Sequence, residues 1–97
     1  MKNLFEIEGT FFIPEMGIFA IYGEIISGEI AKNNYVAYEN GQKLTVKSIE
    51  FLRKKTTSWI SMTFHCRDVE IAQKWKGYFL KGSTIEVFES RGGNGSK

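Results

Sequence analysis

Cysteine and histidine are almost missing from this sequence: Cys66 and His65 stand alone in 97 residues. A lone cysteine excludes an internal disulfide and any paired-cysteine zinc motif. With one histidine and no calcium-loop spacing of carboxylates, no metal and no cofactor is expected. No run reaches eighteen apolar residues, so no membrane-spanning helix is expected. Met1-Lys2-Asn3 leads straight into a mixed run with Glu6 and Glu8. A secretory signal does not begin this way, and a cytoplasmic protein is the expectation. A glycine-rich phosphate loop is missing too. Gly92-Gly93-Asn94-Gly95-Ser96-Lys97 is not followed by a helix, whose first N–H groups would do the binding.

What is present points to a compact β protein. The length suits one domain, expected over residues 1–89, with a polar tail over 90–97. An apolar fraction of 42% and eight phenylalanines supply a core. Two Phe- and Ile-rich runs flank Pro14-Glu15-Met16-Gly17 and read as strand, turn, long strand. The first run breaks at Gly9, which predicts a bulge. The second, residues 18–26, is apolar on both parities. That pattern predicts a central strand covered partly on its outer side, or a bulge near Tyr22 and Gly23.

Residues 27–34 are rich in turn formers. Tyr35 to Tyr38 reads as a short strand, and Asn40-Gly41 predicts a two-residue type I′ hairpin turn. Residues 43–51 read as one strand with a parity change after Lys47, which implies a bulge. The basic stretch 53–58 reads as a loop, followed by a strand from Trp59 to Phe64. Asp68 can cap one or two turns of helix near 68–75, ended by Gly77. Tyr78-Phe79-Leu80 reads as a strand end and 84–89 as the last strand. Six or seven short strands with frequent turns describe a small antiparallel barrel or sandwich. Closure into a barrel is preferred because it removes exposed edges.

Chemistry finds little purchase. His65 and Cys66 are neighbours on a strand and point to opposite faces, so they form no dyad. Nothing singles out a pair of carboxylates for acid–base work. No enzyme is expected. Charge is uneven: residues 1–30 carry a net −4, and residues 31–60 a net +4. Lys43, Lys47, Arg53, Lys54 and Lys55 form one basic segment. Lys74, Lys76 and Lys81 form a second. With Trp59 nearby, these residues are the candidate surface for RNA or another partner, because small barrels bind single strands with basic grooves and stacked aromatics. The competing reading makes the lysines solubilising and the aromatics core. A non-enzymatic binding or structural module is expected. Contact with protein or a second copy is favoured, and a small RNA-binding protein using 43–55 and 74–81 is the alternative.

Phe12-Ile13-Pro14-Glu15-Met16-Gly17 and the run from Gly23-Glu24-Ile25-Ile26-Ser27-Gly28 to Asn34 resemble the second domain of translational GTPases of the elongation-factor Tu type. Residues 46–54, Arg67-Asp68-Val69-Glu70 and Lys76-Gly77-Tyr78-Phe79-Leu80 extend the likeness, which covers about residues 5–88. The resemblance implies a Greek-key β-barrel that packs on neighbours and helps contact aminoacyl-tRNA or the ribosome. Glu15 and Met16 stand where the family has Gly and Arg, which removes a cation from that loop. Asn34 replaces a Gly, and Gln73-Lys74-Trp75 reads as an insertion. The family's GTPase domain has no counterpart in this chain.

Overall fold

A computed structural model describes residues 2–53 and 58–89 of the chain. Among the described residues are seven strands, one α-helix and a single 3-10 turn at Glu39–Gly41: β1 (Asn3–Ile13), β2 (Ile18–Ser27), β3 (Tyr35–Ala37), β4 (Lys43–Thr45), β5 (Ser48–Arg53), β6 (Ser58–His65), α1 (Val69–Tyr78) and β7 (Thr84–Phe88). The strands form one sheet in the order β4-β3-β7-β1-β2-β6-β5, and every pairing is antiparallel. The expected all-β antiparallel class is therefore observed.

The two long strands follow from their side chains. Phe, Ile and Tyr suit the pleat, and the 14–17 turn reverses the chain, with Met16 N–H donating to Ile13 C=O and Gly17 N–H to Pro14 C=O, each at 3.1 Å. A bulge interrupts β1 where expected. Ile7 pairs with Gly23 and Gly9 with Tyr22, leaving Glu8 as the extra residue. The irregularity belongs to β1 and faces Tyr22–Gly23, so β2 carries no inserted residue there. The bulge changes which β1 residues face the core, from Phe5 and Ile7 before it to Thr10 and Phe12 after it.

Inside the curl lie Phe5, Ile7, Phe19, Ile21, Met62 and Phe64, all 1% exposed or less. Helix α1 plugs one end. Trp75 meets Phe19 edge-on with ring centroids 5.3 Å apart, and Tyr38 packs on Trp75, Tyr78 and Phe79. Asp68 caps the helix as expected, its Oδ1 accepting from Glu70 N–H at 2.8 Å and Ile71 N–H at 3.3 Å. The helix is longer than one or two turns and runs through Gly77, and Tyr78 is its last residue rather than part of a strand. Burial of Ala72, Trp75 and Phe79 along one face outweighs the roughly 1 kcal/mol that a helical glycine costs.

Two other expectations are corrected. The β3–β4 connection is not a two-residue turn. Tyr38 N–H donates to Gln42 C=O at 2.7 Å across a three-residue loop, with Gly41 at φ 76°. Residues 43–51 are also not one strand. The parity change after Lys47 marks not a bulge but a break between β4 and β5, which occupy opposite ends of the sheet. Only Val46 and Lys47 separate these two edge strands, so the sheet curls until its edges approach. Lys47 N–H donates to Thr63 C=O at 2.7 Å across this seam. Among the described residues no ladder joins β4 to β5 or β6, so the sheet is curled and open. Residues 90–97, expected as a tail, lie outside the described residues.

Candidate interaction surface

Residues paired across antiparallel strands share a face. With Phe19, Ile21, Met62 and Phe64 turned inward, the outward residues follow from the register. On β1 they are Gly9, Phe11 and Ile13. On β2 they are Ile18, Ala20, Tyr22 and Glu24. On β6 they are Trp59, Ser61, Thr63 and His65. The outer face of a half-solvated sheet is ordinarily polar. Here it carries Ile13, Phe11, Ile18, Tyr22 and Trp59 in adjacent positions.

The aromatics form a row across the three strands. Phe11 and Tyr22 lie 6.0 Å apart between ring centroids, and Tyr22 and Trp59 lie 5.5 Å apart. Between and beside them sit small side chains. Ala20 is fully buried, Ser61 is 3% exposed and Thr63 is 6% exposed, although all three face outward. The row also shelters polar groups: the Ser48 and Thr63 hydroxyls share a hydrogen bond of 2.5 Å. Gly9 is part of the design, because the Tyr22 ring occupies the space that a β-carbon on residue 9 would need. Phe11 is 40% exposed at the strip's outer edge. The exposed carboxylates at the described margin include Glu24, its β1 partner Glu6, and Glu50.

This face accounts for the double apolar parity of β2. The strand is central, and its outer side is partly covered by Phe11, Tyr22 and Trp59. Of these, only Trp59 was a candidate from sequence; Phe11 and Tyr22 were not, and the pattern of β2 was the signal that pointed to them.

The sequence-selected cations are dispersed. Lys43 lies on β4 with its ammonium 4.7 Å above the Tyr35 ring, which stacks on Phe88 at 5.2 Å. Lys47 is exposed in the β4–β5 link, and Arg53 ends β5. Lys54 and Lys55 lie outside the described residues. Lys74 and Lys76 are exposed on α1, two positions apart and so on different sides of it. Lys81 stands in the turn before β7 and pairs with Glu8 at 3.5 Å. Trp59 shares its face with Tyr22, not with Lys43 or the helix lysines.

A shallow groove of about 240 Å³ runs past the end of β6, lined by His65, Cys66, Arg67, Asp68, Ile71 and Trp75. His65 is exposed and Cys66 buried, so the pair is split as strand geometry requires. Burial pushes the Cys66 thiol above its ordinary value, with the Asp68 charge adding to the effect and a backbone hydrogen bond at Asp68 opposing it. Such a thiol stays protonated and is a poor nucleophile. No protein-family model, curated protein or solved structure matches the chain.

Proposed function

We propose that this chain is a non-enzymatic protein-binding module and that its contact face is the Phe11–Tyr22–Trp59 strip. One observation carries the reading: an outward sheet face holds contiguous aromatic and aliphatic side chains over a floor of buried small residues, margined by carboxylates among the described residues. Aromatic side chains are enriched at the centres of protein contacts, where charge is depleted. Acidic margins disfavour phosphate, which favours protein over RNA as the partner of this face.

We also propose that the curled sheet is the Greek-key barrel of translational-GTPase second domains, standing as a module without the GTPase. The 14–17 turn, the short seam between the sheet edges and the capped helix at Asp68 support that reading. Fold alone does not carry the family's RNA or ribosome contact over to this chain.

The test is site-specific photocrosslinking in cells from position 11, with position 39 on the exposed β3–β4 loop as control. Protein adducts specific to position 11 are expected. RNA adducts from position 11, or equal yields from both positions, would overturn the proposal. Fluorescence anisotropy with single-stranded RNA and a tRNA pool across a salt series gives the second arm. Binding that weakens steeply with salt would favour the basic residues as the functional set instead.

A further inference from the structure

We infer that the open edge of β5 pairs with β5 of a second copy of this chain, antiparallel about a two-fold axis through Phe51. This edge is separate from the Phe11–Tyr22–Trp59 face, so the inference goes beyond that reading and does not rest on it.

The hydrogen bonds of β6 fix which way β5 points its main chain. Cys66 N–H donates to Gly17 C=O at 2.9 Å, so the Cys66 main chain turns toward β2. Strand alternation then turns the main chains of His65, Thr63, Ser61 and Trp59 toward β5. The bond from Lys47 N–H to Thr63 C=O agrees. The β5 partners of Thr63, Ser61 and Trp59 are Ser48, Glu50 and Leu52, whose N–H and C=O groups therefore face β6. Those of Ile49, Phe51 and Arg53 point the other way, to the open side of the sheet. Among the described residues, no main-chain bond from outside the β5–β6 ladder reaches them.

Proteins ordinarily blunt such an edge with a short strand, a bulge or a proline. The β4 edge is short, at three residues. β5 has none of these protections. It runs for six residues, its register with β6 is unbroken, and it contains no proline. Phe51 is 75% exposed, the most exposed of the large apolar side chains described.

Register and charge name the occupant. A closed two-fold contact needs a surface that matches itself. The outward residues Ile49, Phe51 and Arg53 are centred on Phe51. An axis there sets Phe51 against its equivalent and Ile49 against Arg53, so every outward group meets a partner, giving about six main-chain hydrogen bonds. Glu50 falls opposite Leu52, and no carboxylate faces another directly. An axis at Glu50 leaves Arg53 unmatched and sets the two Glu50 carboxylates opposite each other, which is destabilising. An axis at Leu52 leaves Ile49 unmatched within the described strand. A second copy therefore supplies outward groups of the same number and spacing, an aromatic ring for Phe51 and no opposing carboxylate for Glu50. A net charge of +2 adds little repulsion between copies.

Pairing of this kind joins the two sheets edge to edge with both outer faces on one side. An edge pair of this length buries less than the roughly 1,000 Å² of a stable interface, so weak association at about 0.1 mM is expected.

Sedimentation velocity on the full chain tests this, with a monomer–dimer equilibrium as the expected result. Phe51→Lys and Phe51→Glu should each raise the dissociation constant about tenfold, through the lost ring pair and the like charges on the axis. An equimolar mixture of the two variants should associate more tightly than either alone. Circular dichroism should show both folded, since the ring is exposed and the Phe51 amide lies outside the ladder. Hydrogen exchange at the Phe51 amide should slow as chain concentration rises, while the Glu50 amide, already bonded to β6, stays unchanged. Phe11→Lys should leave the dimer intact, which separates this contact from the outer face. A monomer at about 1 mM chain, where even weak pairs associate, would overturn the inference. So would a dimer indifferent to both Phe51 variants, or one abolished by Phe11→Lys alone.

Discussion

Gly23 marks the closest approach of β1 and β2, opposite the Glu8 bulge. A β-carbon there would collide with the carbonyl oxygen of Glu6, a main-chain atom that cannot rotate away. Gly23→Ala is expected to cost about 3 kcal/mol or more, read as a lowered urea midpoint at unchanged slope. Two buried acids give the residue scale a pH signature. Burial raises the Tyr38 phenol above its ordinary 10.0, with the Glu39 carboxylate adding to the effect. The Cys66 thiol is raised above 9.0. Both groups therefore ionise sooner in the unfolded chain than in the folded one, so at alkaline pH the unfolded state holds fewer protons. Stability is intact below about pH 8 and falls as pH rises past the ordinary thiol and phenol values. Urea titrations at stepped pH check this, and Tyr38→Phe should flatten the decline above pH 10.0.

At the scale of elements, helix α1 holds by its cap and its buried face. Asp68→Ala should cost about 1 kcal/mol through the lost N-cap. Trp75→Ala should cost about 3–5 kcal/mol, because the indole joins Phe19 and Tyr38 into one cluster. Thermal melts of the two variants separate these contributions. The sequence was legible where local chemistry decides the outcome. Pro14 and Gly17 placed the first turn, Gly9 announced the bulge, and Asp68 announced the cap. It was illegible where tertiary packing decides. Nothing local says that burying Trp75 and Phe79 carries the helix through Gly77. Nor does the run 43–51 say that Val46 and Lys47 divide two strands at opposite edges of a sheet. The strip was half legible: β2 showed an excess of apolar residues on both parities, but only the register places Phe11, Tyr22 and Trp59 side by side.

For the whole molecule, the seam between the sheet edges decides how nearly the curl closes. Val46 N–H donates to Asn34 C=O and Tyr38 N–H to Gln42 C=O, so strand alternation turns the Lys43 and Thr45 amides away from β3, toward the seam. Native-state hydrogen exchange should find these two amides fast and the Lys47 amide, bonded to Thr63, slow. Equal protection at all three positions would mean that β4 is laddered to β6 and the barrel is closed. The sheet order has a separate consequence for synthesis. β7 lies between β3 and β1, pairing Tyr35 with Phe88 and Asn3 with Val87. It is also the last of the seven strands to be translated. Until it emerges, the β1–β2–β6–β5 group and the β3–β4 hairpin can each form, but the facing edges of β1 and β3 wait unpaired. A nascent chain stalled before residue 84 is thus a template for strand exchange with its neighbours on the same message, and the final pairing spans nearly the whole sequence, the kind of contact that slows folding most.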